Sequence, residues 1–260
     1  MLSKILKPLH VDNQDLIRIG PKLDGGYVIH SDTIEKIQKI ITCGLNDDWE
    51  FEKDFIRHNK KVLIHAYDHT VDNNFWIKRF KKDFKHFFLL KKLRLRKIIK
   101  IFSYFDYKNF FKKPNIHFIK KITKKSKNLN EICINEILYN ENDVLLKVDI
   151  EGDEYEILED IRINEKKIVS LIIEFHDVNK YINEIKNFIL ENQILRLIHI
   201  HANNFAGIDS RGNPNVLELT FVNKEKIKIL DKKTKKKYPI NGLDYKNSHR
   251  KPDIELNFNE

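Results

Sequence analysis

Carboxylate and imidazole side chains recur near the ends of three apolar runs of the sequence. Asp149 ends the run VLLKVD, Glu174 and His176 lie in LIIEFHD, and His201 lies in LIHIHAN. Such groups transfer protons near neutral pH, and mixed sets of them bind Mn, Fe or Zn more readily than Ca. We therefore predict catalytic roles for Asp149, His176 and His201. If a divalent metal (Mn, Fe, Zn or Mg) is bound, the predicted ligands are Asp149, Glu174 and His201.

Two further turns have the pattern of a cofactor-binding edge. The run KIITC is followed by Gly44 and then by the helical segment WEFEKDF, whose free backbone amides would face outward. Asp68 follows the next apolar run, 24 residues after Gly44, where an acidic side chain commonly accepts hydrogen bonds from ribose hydroxyls. The sequence lacks the GxGxxG pattern of dinucleotide-binding loops, and a plain turn capped by Asp47 or Asp48 would have the same features. The two positions together indicate a cofactor loop.

Apolar runs rich in β-branched residues alternate along the chain with longer helical patterns. Most runs are continuously apolar, which is typical of strands covered on both faces, and the last two have no helix between them, which predicts an antiparallel pair. The sequence therefore predicts an α/β fold with a seven-stranded, mostly parallel, Rossmann-like sheet whose last strand is antiparallel. The predicted strands are 39–43, 62–67, 116–119, 144–150, 168–175, 195–201 and 216–222, and the predicted helices are 49–58, 154–163 and 178–192.

Two segments lie outside this alternation. Residues 76–115, here called the basic insert, contain 14 Lys or Arg and two acidic residues, so the rest of the chain has a net charge of about −2. Their apolar residues recur at helical spacing and predict two amphipathic helices: Trp76, Phe80, Phe84, Phe87, Phe88, Leu95, Ile98, Ile99, Phe102 and Phe105. We expect these residues to pack against the main domain, with docking on a membrane surface as the alternative. From Asp231 onward, KKTKKK and a late proline predict an exposed turn and a loosely held tail.

The composition restricts the class of protein. A length of 260 residues with 41% hydrophobic residues fits a single folded domain over 1–260. Cys43 and Cys133 form no CxxC pair, which indicates a reduced compartment and argues against a cysteine-built metal site. No apolar run has the length of a signal peptide or a membrane span, so we expect a cytoplasmic protein. Because the net charge of +10 lies in the insert, we expect no nucleic-acid partner.

Several sequence blocks resemble a known family of enzymes. DGGYVI, CGLNDDWEFE, AYDHT and LLKVDIEGDEYEIL occur in this order and are followed by LIIEFHD, HIHANN and LELTFVN. In this set and order the blocks resemble the FkbM-type branch of S-adenosylmethionine (SAM)-dependent methyltransferases, and KVDIEG is the most specific block. Residues 71–115 lie outside the resemblance. The resemblance implies the class I methyltransferase fold, a seven-stranded sheet with its last strand antiparallel.

The resemblance also implies a role for each matching residue. Gly44 and the turn after it would pass under the methionine part of SAM, Glu52 would steady that loop, and Asp68 would hold the ribose hydroxyls. Asp149 would stand nearest the sulfonium methyl. An N-terminal element that closes over the cofactor would contain Asp24, Gly25 and Gly26, and the residues facing the acceptor would be Glu174, His176 and His201. The segment CGLNDD departs from the glycine-rich loop usual in such enzymes, so single cofactor contacts are not assigned there.

The resemblance favours a sugar hydroxyl as the methyl acceptor, in a nucleotide-linked sugar or a precursor of a surface glycan such as capsule or lipopolysaccharide. In-line transfer requires the hydroxyl to lose its proton, either to a histidine or after binding to a metal. The phosphates of a nucleotide sugar would give the basic insert a ligand. Two alternatives stay open: a non-catalytic module that binds membranes or nucleic acid through the insert, and an NAD-dependent oxidoreductase, which the missing GxGxxG pattern disfavours.

Overall fold

The protein folds around one large twisted sheet with helices on both faces. The computed structural model describes residues 1–89 and 103–259. The large sheet has seven strands: β3 (Lys39–Cys43), β4 (Leu63–Tyr67), β5 (Ile116–Phe118), β8 (Val144–Val148), β9 (Ile168–Phe175), β10 (Leu195–Ala202) and β11 (Leu217–Asn223). Their spatial order is β10-β11-β9-β8-β3-β4-β5. All seven were predicted, with bounds that differ by at most two residues.

The last strand has the predicted direction. β11 runs antiparallel to both of its neighbours, β9 and β10, while the pairs formed by β3, β4, β5, β8 and β9 are parallel. It lies between β9 and β10, so β10 is the outermost strand on that side of the sheet. Every residue of β8 and β9 is buried, as expected for strands that are covered on both faces.

The helices cover the two faces of this sheet. They are α1 (Glu50–His58), α2 (Asn73–Leu89), α3 (Ser103–Phe110), α4 (Ile134–Ile137), α5 (Leu158–Ile163) and α6 (Val178–Glu191). The predicted helix 154–163 begins as a 3-10 helix at Asp153–Ile157 and continues as α5. None of the helices in the described ranges combines the length and the apolar character that a bilayer span requires.

Two small sheets were not predicted from the sequence. An antiparallel pair of β1 (Leu16–Ile19) and β2 (Tyr27–His30) packs against the large sheet, where the hydroxyl of Thr220 donates a hydrogen bond of 2.8 Å to the carbonyl of Val28. A second, parallel pair consists of β6 (Lys121–Ile122) and β7 (Glu131–Ile132). The first pair matters for function, because the turn between its strands reaches the candidate site.

The basic insert contains α3 and most of α2. Trp76 and Tyr107 are buried in an aromatic cluster with Trp49, as the packing interpretation expects at these positions. Phe80 and Phe105 are instead 54% and 67% exposed. The other apolar positions of the predicted stripe, between Phe84 and Phe102, lie outside the described side chains. The choice between packing and membrane docking for that part of the insert stays a prediction.

The C-terminal segment is not the loosely held tail that the sequence predicted. Tyr238 and Leu256 are buried and pair with each other, and Leu2 pairs with Phe258. The side-chain amide of Asn204 donates hydrogen bonds to the carbonyls of three tail residues: Ser248, Lys251 and Pro252. Sequence alone missed these contacts because each joins positions far apart along the chain. As a result, the tail borders the functional edge of the sheet.

Candidate active site

A cavity of about 380 Å³ lies beyond the carboxyl ends of β3, β4 and β8. In open α/β sheets ligands bind at such an edge, where the chain switches from one side of the sheet to the other. Here β4 lies on one side of β3 and β8 on the other. The predicted residues that line the cavity are Asp24, Gly25, Gly44, Asp68 and Asp149. The volume is within the range of small-molecule and cofactor sites, roughly 300–1,000 Å³.

Gly44 lies at the point where three strand ends meet. Its amide donates to the carbonyl of Tyr67 at 3.0 Å, and the amide of Asp149 donates to the carbonyl of Cys43 at 2.8 Å. Gly44 has φ +85°, and a Cβ atom there would lie 1.6 Å from the carbonyl oxygen of Asp149. Only glycine fits this position, because a side chain would displace the backbone of the next strand.

Asp68 fixes the loop that follows Gly44. One carboxylate oxygen accepts the amides of Leu45 and Asn46 at 2.9 and 2.8 Å, and the other accepts both the amide and the hydroxyl of Thr70. Burial acts to raise the pKa of Asp68, but these hydrogen bonds outweigh burial and hold the pKa below its usual value. The carboxylate is therefore ionised at neutral pH and shapes this side of the cavity.

Glu52 is buried behind the cavity rather than in its lining. It accepts a hydrogen bond of 2.6 Å from the hydroxyl of Thr42, and its carboxylate lies 3.4 Å from the Nζ atom of Lys147. Lys147 lines the cavity, with its ammonium 5.6 Å from the ring centroids of Tyr27 and Phe51. Burial acts to lower the pKa of Lys147, but the surrounding carboxylates outweigh it and raise the pKa. Glu52 thus stabilises the buried ammonium of Lys147 in the cavity wall.

The turn between β1 and β2 closes one end of the cavity. Asp24 and Gly25 line it, and the carboxylate of Asp24 accepts a hydrogen bond of 2.9 Å from the side-chain amide of Asn247. Gly26 lies behind them, where a Cβ atom would be 2.1 Å from the carbonyl oxygen of Pro21. Gly26 is therefore required for packing of the turn, and it does not line the cavity.

His176 lies among carboxylates at the next strand end. Its Nδ1 atom is 3.0 Å from Oε1 of Glu154, and this same oxygen accepts the amides of Ile150 and Gly152. A carboxylate oxygen with two amide donors acts as an acceptor, so we assign the hydrogen to Nδ1 and leave Nε2 as the free base in the neutral ring. Burial acts to lower the pKa of His176, but Glu154 and the other nearby carboxylates raise it above its ordinary value.

The free Nε2 atom of His176 faces three carboxylates. It lies 3.5 Å from Glu151, 3.8 Å from Glu174 and 4.0 Å from Asp149. Burial raises the pKa of Asp149 to about 6, and the Oδ1 atom of Asp149 is buried without a hydrogen bond. Burial likewise holds the pKa of Glu174 well above its usual range, although its carboxylate accepts the side-chain amide of Asn203 at 3.0 Å. Asp149 and His176, at this edge of the sheet, can therefore bind and release protons near neutral pH.

Comparison with known proteins identifies the family. A family model described as the methyltransferase FkbM domain matches residues 35–197. The chain belongs to this family. As an FkbM methyltransferase it uses SAM as the methyl donor, in agreement with the resemblance and with the class I architecture of the sheet. A search of curated proteins finds no match.

Three solved structures to which this FkbM protein is similar share little of its sequence. The Methanococcus jannaschii fibrillarin pre-rRNA processing protein has 11% identity and a TM-score of 0.39, covering 84% of this chain and 87% of that chain. The plantazolicin methyltransferase in complex with S-adenosylhomocysteine (SAH) has 7% identity and a TM-score of 0.34, covering 74% and 82%. A 16S rRNA adenine methyltransferase from Catenulisporales acidiphilia has 10% identity and a TM-score of 0.34, covering 80% and 98%.

The structure does not bring together the metal ligands predicted for this FkbM protein. In the described part of the chain, the group with ligand atoms within 4.8 Å of one another is Asp149, Glu151 and His176. Glu151 is the member of this group nearest the solvent, because its side chain is 78% exposed. The predicted set was Asp149, Glu174 and His201, on the assumption that all strand ends converge. Glu174 lies 3.8 Å from Nε2 of His176 but is not a member of the observed group, and neither is His201.

His201 lies too far along the sheet to join Asp149. Neighbouring strands are about 4.8 Å apart, and β10 is three strands away from β8, which places their ends roughly 14 Å apart. His201 instead contacts Glu218 at 3.1 Å and Asp253 at 3.4 Å. Burial acts to lower the pKa of His201, but the two carboxylates raise it to about 10. An imidazolium at neutral pH is a poor general base, so the structure argues against that predicted role.

Sequence reasoning missed several residues at this edge of the FkbM fold. Glu154 is the first residue of a predicted helix, and only its position after the DIEG turn signals a further role. Asn247 donates hydrogen bonds to both Asp24 and Glu218, and so links the N-terminal turn to β11. Asp253 contacts His201. Asn247 and Asp253 come from the C-terminal tail, for which no local pattern predicts such contacts.

Proposed function

We propose that the protein is a SAM-dependent O-methyltransferase that methylates a hydroxyl of a sugar, either a nucleotide-linked sugar or a precursor of a surface glycan. The single observation that carries the proposal is the His176–Glu154 pair, which points a basic nitrogen at the cavity edge that contains Asp149. A histidine oriented by a carboxylate is a recurrent device for removing a proton from a weakly acidic hydroxyl. The cytoplasmic location expected from the sequence is part of this proposal.

We place SAM in the cavity in the orientation that the family resemblance implies. Its methionine part would lie over the turn after Gly44, at the end of β3, and its ribose beside Asp68, at the end of the neighbouring strand β4. The carboxylate groups of Asp24 and Asp48 lie at the methionine end, where the positively charged amino and sulfonium groups of SAM would be stabilised. Ile122, which also lines the cavity, offers an apolar surface to the adenine ring.

The chain supplies the base that the reaction needs. The acceptor oxygen attacks the methyl carbon while the carbon–sulfur bond breaks, and the bonding pair goes to sulfur to give neutral SAH. The proton of the hydroxyl passes to Nε2 of His176, which Glu154 holds in the required tautomer. Glu154 and Asp149 then stabilise the imidazolium, since Glu154 contacts Nδ1 and Asp149 lies 4.0 Å from Nε2.

The charge of the edge supports a neutral, hydroxyl-rich acceptor. Three carboxylates, those of Asp149, Glu151 and Glu174, lie around the reacting position and can accept hydrogen bonds from sugar hydroxyls. An anionic group would be repelled there. The phosphates of a nucleotide sugar would have to lie away from these acids, and Lys120 at the cavity wall is a candidate contact. The insert residues Lys91, Lys92, Arg94 and Arg96 fall outside the described part of the chain.

A divalent metal is the rival means of activating the same hydroxyl. Asp149, Glu151 and His176 could hold one, and a bound metal would lower the pKa of a coordinated hydroxyl. We favour proton transfer to His176 because its Nδ1 hydrogen bond already selects the tautomer that a base requires. A metal-binding histidine can have the same orientation, so chelation and a variant of Glu151 are needed to distinguish the two routes.

The test is turnover with purified, metal-analysed protein. SAM is incubated with a panel of nucleotide sugars, and both SAH release and methylated sugar are measured for the protein and for His176→Gln. We expect methylation by the parent protein and a loss on the order of 10²-fold in kcat for the variant, with SAH affinity kept. SAH binding without turnover on any sugar would overturn the acceptor assignment. Absence of SAH binding, with steeply salt-dependent binding to anionic vesicles or nucleic acid, would favour the non-catalytic alternative.

A further inference from the structure

The basic insert is connected to the cofactor cavity by a chain of two hydrogen bonds. The hydroxyl of Tyr107, on α3, lies 2.5 Å from Nδ1 of His117, and Nε2 of His117 lies 3.0 Å from the backbone carbonyl oxygen of Asp68. His117 belongs to β5, the outermost parallel strand, and pairs with Ala66 of β4. The chain therefore runs from the insert through the edge of the sheet to the turn that borders the cavity.

The direction of both bonds follows from their partners. The carbonyl oxygen of Asp68 can only accept, so Nε2 of His117 carries the hydrogen. Burial lowers the pKa of His117, which keeps the ring neutral, so Nδ1 accepts from the Tyr107 hydroxyl. Burial also raises the pKa of Tyr107 to about 12, which keeps that hydroxyl protonated as a donor. The geometry and the protonation states agree.

Asp68 transmits this contact to the cofactor loop. Its carbonyl accepts from His117, its amide donates to the carbonyl of Phe118 at 3.1 Å, and its carboxylate holds the amides of Leu45 and Asn46. The main chain of Asp68 is thus held from the β5 side, while its side chain shapes the loop after Gly44. A displacement of Asp68 would move the wall of the cavity.

The insert also contacts the far end of the same loop. Asp106 of α3 accepts a hydrogen bond of 3.1 Å from the indole of Trp49, which follows the loop, and pairs with Lys53 at 2.5 Å. Arg79 of α2 forms an ion pair with Asp47 within the loop. The insert therefore contacts the loop directly at its far end, and at its near end through His117 and Asp68.

We propose that Tyr107 and His117 are positioning residues through which the basic insert sets the affinity of the cavity for SAM. The insert is then a structural part of the cofactor site, in addition to being the most basic segment of the chain. The inference rests on the cofactor assignment of the proposed function and is independent of the sugar acceptor. Binding of SAH therefore tests it even if no acceptor is found.

The experiment is calorimetric titration of the full chain with SAH. Tyr107→Phe keeps the ring and removes the hydroxyl, and Tyr104→Phe is the matched control on the same helix, where the Tyr104 ring packs 5.5 Å from that of Trp76. We expect the SAH Kd to rise about 5-fold for Tyr107→Phe, which corresponds to one neutral hydrogen bond, and less than about 2-fold for Tyr104→Phe. Where turnover is measurable, the KM for SAM should rise by the same factor with kcat unchanged.

A double-mutant cycle separates positioning from general loss of packing. His117→Phe keeps an aromatic ring but removes both hydrogen bonds. The double variant His117→Phe/Tyr107→Phe should therefore bind SAH as tightly as His117→Phe alone. Equal effects of Tyr107→Phe and Tyr104→Phe would overturn the proposal, as would effects that multiply in the double variant. If the parent protein itself does not bind SAH, the cofactor assignment fails and the inference fails with it.

Discussion

The Nδ1 atom of His176 lies 3.0 Å from Oε1 of Glu154, in the turn after β8, and this pair orients the free ring nitrogen toward Asp149. Two backbone amides, of Ile150 and Gly152, donate to the same carboxylate oxygen. The Glu154 carboxylate therefore both holds the turn that places Asp149 at the cavity and orients the ring of His176. Replacement of Glu154 should affect the chemical step more than cofactor binding.

We predict that Glu154→Gln lowers kcat on the order of 10²-fold and leaves the SAH Kd within about 2-fold. A glutamine can keep the bonds to the turn amides, but it offers a weaker acceptor for Nδ1–H and does not stabilise the imidazolium. The measurement is steady-state turnover with calorimetry, and Glu156→Gln, an exposed position two residues later, is the control. Unchanged kcat in Glu154→Gln would remove Glu154 and His176 from the proton-transfer step.

A second prediction concerns the charge of His201. The folded protein holds this proton up to a pH of about 10, whereas an unfolded histidine loses it near about 6.5. Below the unfolded pKa the contribution to stability is complete, and it is lost as pH rises toward the folded pKa. Between pH 7 and pH 9 the free energy of unfolding should therefore fall more steeply in the parent protein than in His201→Gln, by up to about 1.4 kcal/mol per pH unit.

Urea denaturation at several pH values measures this difference. His58→Gln, which replaces an exposed histidine, serves as the control for loss of an imidazole. Parallel curves for the parent and His201→Gln would show that Glu218 and Asp253 do not hold His201 as a cation.

The large sheet was predictable from the sequence because its strands are long continuous apolar runs, each closed by a polar turn. Such runs indicate burial on both faces without reference to distant residues. The assignment of Asp149, Gly44 and Asp68 to one edge follows from the same patterns, because parallel strands carry their carboxyl ends to one side. What the patterns could not give was the order of the strands.

Strand order explains the error at His201. His201 and Asp149 end strands of the same direction, but β9 and β11 lie between these strands in the sheet. The partners of His201 could not be predicted either, since Asp253 is 52 residues away along the chain and lies in a segment without apolar periodicity. Contacts of the tail depend on tertiary packing, for which local sequence carries no signal.

The third prediction separates backbone strain from steric conflict at Gly44. Gly44 and Gly212 have nearly equal φ values, +85° and +78°, but only Gly44 has an atom close to the position of a Cβ. Gly212→Ala should cost about 1–2 kcal/mol of unfolding free energy, the penalty of a left-handed backbone. Gly44→Ala should cost more and should also weaken SAH binding, because the new methyl group displaces the backbone of Asp149. Equal losses in both variants would contradict the steric argument.

The last prediction distinguishes proton transfer from metal activation. If His176 is the base, removal of divalent ions by chelation should leave turnover within about 2-fold, because no described residue then depends on a cation for its role. Glu151→Gln should also have a small effect, within about 3-fold, because the Glu151 carboxylate is exposed and solvent weakens its interaction with Nε2 of His176. The measurements are turnover after chelation and calorimetric titration with Mn²⁺. Loss of activity that Mn²⁺ or Mg²⁺ restores, together with weakened Mn²⁺ binding in Glu151→Gln, would instead assign Asp149, Glu151 and His176 to a metal site.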